Sequence, residues 1–293
     1  MSQYFHLLTL ITILFISNSN VYSQLSSSES LTFYADVLTN ASSLENRIHA
    51  NEKFIEELDQ TLSSKESFKN SLDSLPWIFV RYAPSREFRF ISWQLELDKK
   101  QFQYFTYFQG ETGKVIKISD DNQTLELRET YSATNGYAAI IHQIIPFDNY
   151  YLLASYRQKP NGISQKICEV LDVKNGEPSF GKSLFYESAD VPNGRGKKRV
   201  IMTYSSVASA SMNINLNDIE KVIVFDHIIS VPGKTSKEGM IQVPDGSFEA
   251  YVQNGPDKWL YNPNLYEGLE YNPKTQSKPT NRKNTVKNSK KPR

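Results

Sequence analysis

From Trp77 to Leu260 the chain is cut by turn-forming residues at intervals of roughly 8 to 15 residues, a spacing on which little but β-structure folds. Gly110-Glu111-Thr112-Gly113, Asp120-Asp121-Asn122, Asn135-Gly136, Pro146 to Asn149, Pro160-Asn161-Gly162, Asn175-Gly176 and Asn193-Gly194 supply the turns. Glycine tolerates the positive φ that such turns need, and Asn or Asp bonds its own backbone. Between them lie apolar or alternating segments at 91–97, 101–108, 114–118, 125–131, 137–145, 150–157, 164–173 and 182–186. Phe88 and Phe90 stand one residue out of phase with Ile91, Trp93, Leu95 and Leu97, which predicts a bulge near Phe90. A sandwich, a barrel and a propeller-like array all satisfy this pattern, and no clear internal repeat selects among them.

The rest of the chain is organised around Lys197 to Trp259. Val200, Met202 and Tyr204, then Met212, Ile214 and Leu216, alternate with polar or smaller residues as strands with one face on a core do. Val222 to Phe225 is a continuous apolar run, which suits a strand buried on both faces. Pro244-Asp245-Gly246-Ser247 reads as a tight turn, Phe248 to Val252 as a strand, and Asn254 to Asp257 as a second turn before Lys258 to Tyr261. Two consecutive β-hairpins result.

The start of the chain reads differently. Leu7 to Ile16 is nearly all apolar, too short for the roughly 20 residues that span a bilayer, and leads to small residues at Val21-Tyr22-Ser23. Residues 1–23 are therefore expected to be a signal peptide, the mature chain to lack a transmembrane segment, and the protein to be exported, periplasmic or secreted. Residues 24–75 form a linker and a helical segment. Leu31, Tyr34, Val37 and Leu38 mark one helix ending near Asn40, and Ser43 caps a second, amphipathic one along Leu44, Ile48, Phe54, Ile55, Leu58 and Leu62. The expected fold is thus mainly β, with N-terminal amphipathic helices packed on an antiparallel β body over residues 76–262.

Cys168 is the single cysteine, so packing alone must stabilise the chain. Of 33 basic residues, eight fall in residues 271–293 with no acid among them, so the remainder is net acidic. The segment 263–293 reads as a disordered basic tail. It is either a solvated appendage or a contact for an anionic surface through Lys283, Lys287, Lys290, Lys291 and Arg293.

Asn51-Glu52-Lys53-Phe54, Phe88 to Trp93, Tyr150 to Leu153, Lys198 to Ile201, Val224 to His227 and Pro244 to Phe248, in that order, resemble an uncharacterised family of exported β-rich proteins common in Bacteroidetes. The resemblance runs from about residue 30 to residue 262 and implies location and fold more than activity. Val243 and Glu249 depart from the family pattern, and the basic tail lies outside it.

Chemistry is sparse. Past the signal only His49, His142 and His227 remain, with none of the close His or Cys spacing of a zinc site, so no metal and no cofactor is expected. No GxSxG elbow, P-loop, dinucleotide fingerprint or calcium loop is present. Asp226 and His227 are the sharpest polar pair, but neighbours on a strand point to opposite faces. Asp245 and Glu249 are the carboxylates a hydrolytic site would draw on. Trp93, Tyr107 and Trp259 are the aromatic candidates for a ligand platform. The reading is an exported, non-enzymatic module, envelope-associated or secreted, that binds a glycan, peptide or surface protein. The alternative is a hydrolase with a loop-assembled acidic and histidine site.

Overall fold

The computed structural model describes residues 26–98, 101–118, 136–187, 196–216, 221–234 and 239–265. The expected signal peptide, the 125–131 strand and residues 266–293 of the basic tail lie outside the described residues. No helix among the described residues is long and apolar enough to cross a membrane.

Helix α1 spans Ser27–Asn40 and opens with a reciprocal cap, in which Ser26 accepts from the Glu29 amide and Glu29 accepts from the Ser26 amide. Ser43 caps α2, Leu44–Leu62. Leu31, Ala35 and Leu38 of α1 and Ala50, Phe54, Leu58 and Leu62 of α2 are buried. Leu44 and Ile48, expected on the same buried stripe, are exposed. Arg47 lies between them and donates to the carbonyl of Glu96, so this end of α2 is tied to the sheet by a polar contact.

The described residues are mainly β, in three open sheets. The first runs β1 (Phe79–Tyr82), β2 (Phe88–Asp98), β3 (Gln101–Gly110) and β4 (Val115–Ile118), antiparallel and in sequence order. The second comprises β5 (Ile140–Phe147), β6 (Tyr150–Lys159), β7 (Ile163–Lys174), β8 (Glu177–Phe180) and β10 (Arg199–Ser205), with β6 and β7 central. The third comprises β9 (Phe185–Tyr186), β11 (Met212–Leu216), β12 (Lys221–Pro232), β13 (Met240–Gln253) and β14 (Trp259–Asn262), in the order β11-β12-β13-β14-β9. Among the described strands only the β14–β9 pair is parallel. Among the described residues no sheet closes into a barrel.

Alternation along the strands dictates how these layers stack. Ile91 and Trp93 of β2 and Tyr107 of β3 join the helices in one apolar cluster. Phe88, Phe90, Tyr104 and Phe108, on the opposite face, join Leu153 and Leu171 of the second sheet. The other face of that sheet, through Leu152, Cys168, Val170, Val200 and Met202, meets Ile223, Phe225, Tyr251 and Trp259 of the third. Helices, first sheet, second sheet and third sheet thus follow one another as layers, a line of faces and not a ring of blades. This corrects the bulge expected near Phe90, because β2 pairs with β3 without a break until Glu96. The phase change is simply a strand with both faces buried.

Two turn readings diverge as well. Asn175 and Gly176, both at positive φ, make the two-residue β7–β8 hairpin that their chemistry calls for. Pro244-Asp245-Gly246-Ser247, in contrast, is no chain reversal. It lies within β13 opposite β12, and the hairpin closes instead between Gly233 and Gly239. Lys182 to Leu184 are not strand either; only Phe185–Tyr186 pairs.

One buried cation ties the helical region to this stack. Arg89 of β2 is 0% exposed. Its Nε donates to Gln109 Oε1 at 2.8 Å, Nη1 to the Asn70 carbonyl and the Tyr82 hydroxyl at 2.7 Å each, and Nη2 to the Ser67 carbonyl at 3.1 Å. The rings of Phe68 and Tyr82 lie 5.4 and 5.5 Å from its guanidinium carbon. Ser67 and Asn70 belong to the 3-10 turn at Lys65–Lys69 and its C-cap, so the charge meets the carbonyl end of a helical turn. Arg89→Ala is expected to destabilise the fold by about 3–5 kcal/mol, since truncation leaves buried acceptors unpaired. Arg89→Lys recovers little of this, because an ammonium lacks the planar fork. Chemical denaturation of both variants checks the pair.

Candidate functional site

Of the four polar residues singled out in the sequence, the fold brings three together and sends the fourth elsewhere. The β12–β13 ladder pairs Asp226 with Phe248 and next pairs Ile228 with Pro244. His227 therefore stands alone opposite Asp245, Gly246 and Ser247, and Gly246 takes φ 91° to absorb the extra length. Across this irregularity His227 Nδ1 lies 2.9 Å from Asp245 Oδ2, and Nε2 lies 3.7 Å from Glu249 Oε1. Asp226 is buried and accepts the Ser211 amide at 2.6 Å, so it stabilises the entry to β11 and takes no part in the cluster.

The partners of Asp245 fix its charge. Ser247 donates to Oδ1 through its hydroxyl at 2.6 Å and its amide at 2.9 Å. These bonds, followed by the one to His227, hold the Asp245 carboxyl down at about 2. The His227 imidazole is pushed up, first by its hydrogen bond to Asp245 and then by the charges of Asp245 and Glu249. The two carboxylates thereby shift His227 toward its imidazolium form, which weakens it as a general base. Sequence reasoning missed Tyr261, whose hydroxyl is raised by burial and by its hydrogen bond to Glu249, and Glu187, which bears on both Tyr251 and Tyr261. The β13–β14 pairing brings Tyr261 to Glu249, and the β14–β9 pairing brings Glu187, the residue after β9, to the same hydroxyl, so no spacing in the sequence marks them.

The aromatic candidates need correction. Trp93 and Trp259 are 0% exposed and Tyr107 is 3% exposed. Trp93 stacks on Phe105 at 5.1 Å, meets Phe54 edge-on, and donates its indole N–H to Asn51 at 2.9 Å. Trp259 donates to the Tyr150 hydroxyl at 2.9 Å across the second and third sheets. All three are core, where large rings contribute most to burial.

The surface aromatics are Trp77 at 59% and Phe79 at 38% exposure, at the start of β1, and Phe33 on α1. Trp77 holds φ 64°, a left-handed conformation that a bulky residue rarely adopts and that costs about 1–3 kcal/mol. Arg81 follows two residues after Phe79, with its guanidinium carbon 5.8 Å from the Phe79 ring centroid. Glu169 and Arg199 pair inside the second sheet, where burial pushes the Glu169 carboxyl up against the opposing pull of Arg199 and the Tyr137 amide. The described residues contain no group of three or more His, Cys, Asp or Glu side chains arranged to hold a metal ion.

Two outcomes follow for these surfaces. By NMR titration His227 should show a pKa above 6.5 that falls toward that value in Asp245→Asn. Because the folded-state value is the raised one, the pair's contribution is complete below about 6.5 and is lost as pH climbs through the folded value. Trp77→Gly should leave the melting temperature unchanged or raised, since glycine adopts φ 64° without strain.

The chain matches no family model, no curated protein and no solved structure.

Proposed function

We propose that the chain is an exported, non-enzymatic binding module of the cell envelope or its surroundings, a β sandwich covered by two amphipathic helices. One observation carries this reading: two of the exposed aromatic side chains, Trp77 and Phe79, lie two residues apart at the entry to edge strand β1, and the Arg81 guanidinium lies over the Phe79 ring. That is the composition of a recognition patch, where rings supply contact area and arginine supplies direction. The histidine cluster supports the same choice, because its imidazole is engaged by carboxylates on both sides. Export and the resemblance to the Bacteroidetes family rest on the sequence alone. The basic residues Lys283, Lys287, Lys290, Lys291 and Arg293 would add electrostatic attachment to an anionic surface.

A hydrolase is the second reading, favoured by the approach of Glu249 and Glu187 to the Tyr261 hydroxyl. The two separate on one experiment. Protein beginning at Gln24 is applied to defined glycan and peptide arrays and, in parallel, to glycoside, ester and peptide substrates. Retention without turnover is expected. Turnover that disappears in Glu249→Gln or His227→Ala would reverse the assignment.

A further inference from the structure

We propose that the edge of β1 is a subsite for an acidic polysaccharide of the polyuronate class, with Trp77 and Phe79 stacking on sugar rings and Arg81 pairing with a ring carboxylate. This rests on the binding-module reading and names its ligand.

Phe79 and Arg81 lie two apart on one strand and so share a face. Arg81 is exposed yet held: Nε donates to the His142 carbonyl of β5 at 3.0 Å and Nη1 to the Val80 carbonyl at 2.8 Å. Those two bonds orient the guanidinium, and its Nη2 has no partner among the described residues. A fixed guanidinium plane with Nη2 still free to donate presents a charged donor at which a carboxylate oxygen can bind. The surrounding field has the matching sign. His142 is held toward its neutral form, first by desolvation and then by the positive charges of Lys166 and Arg81. Apolar sugar faces stack on rings like those of Trp77 and Phe79, and the left-handed backbone at Trp77 is an uncommon conformation kept on an exposed side chain.

Backbone geometry argues against an extended peptide in this place. The Ala83 amide bonds the Phe88 carbonyl, so by antiparallel alternation Val80 turns its own backbone groups away from β2. Arg81 Nη1 already occupies that outward carbonyl, and β5 is tied to the same edge by the Arg81–His142 bond. Strand addition is thereby blocked and the side-chain surface is left as the means of recognition.

Isothermal titration of the full chain against polygalacturonate, its methyl ester and poly-glutamate tests the proposal, with variants Trp77→Gly, Phe79→Ser and Arg81→Gln checked for unchanged melting. Polygalacturonate should bind in a salt-sensitive manner, and each variant should lose at least about tenfold in affinity. The ester, which keeps the rings and removes the charge, should bind at least about tenfold more weakly. If Arg81→Gln melts early, Trp77→Gly and Phe79→Ser still decide. Polygalacturonate binding that all stable variants retain would overturn the subsite while leaving a binding module in place. An ester that binds as well as the acid would overturn the ligand class, and tighter binding of poly-glutamate would replace the glycan with an acidic protein. Absence of binding to all three, when the glycan and peptide arrays do show a ligand, would overturn this inference alone; silence in the arrays too would remove both.

Discussion

The second sheet is apolar on both faces, and that constraint sets the order of everything around it. Leu153 and Leu171 need one cover, Leu152, Cys168 and Val170 another. Neither face can be left to water at about 1.5–3 kcal/mol for each large side chain. The first sheet inherits the same difficulty through β2, whose Phe88 and Phe90 cover the second sheet while Ile91 and Trp93 face outward. Helices α1 and α2 end the series on that side, burying Leu31, Leu38, Phe54 and Leu58 against the first sheet. The third sheet ends it on the other.

Polar groups inside such a stack must find partners, and their solutions are local. Arg89 is compensated by carbonyls, a hydroxyl, an amide and two rings, all of them neutral. Glu169 takes Arg199 and a backbone amide. Thr106 of β3 exchanges hydrogen bonds with the amide and carbonyl of Ala139, and Ser92 of β2 accepts from the Ile141 amide. The first and second sheets are thus joined by polar stitches as well as by the phenylalanine cluster. Buried networks of this kind cost desolvation and return a defined register between layers.

How much of this could be read in advance depends on the range of the interaction. Helix caps at Ser43 and the hairpin turn at Asn175-Gly176 are decided within four residues, and both were legible. Phe88 and Phe90 were misread because a phase change looks the same whether it marks a bulge or a second buried face. Gly246 was legible as a positive-φ residue, but the sequence does not say whether such a residue reverses a strand or kinks it. The candidate site was half legible: His227, Asp245 and Glu249 could be singled out, yet their meeting depends on cross-strand register. Asp226 shows the converse, a sequence neighbour that the strand turns away. Exposure of Trp77 and burial of Trp93 follow from which layers have covers, and composition carries no trace of that.

Cys168 lies in β7 between the second and third sheets, with its thiol pushed up by burial and by neighbouring Glu169. A sulfur in that position reacts with a reagent only when the two sheets part, because thiolate and access are both withheld while they are closed. The chain therefore carries a native chemical clock for the opening of one named interface, and being the single cysteine, it reports on no other.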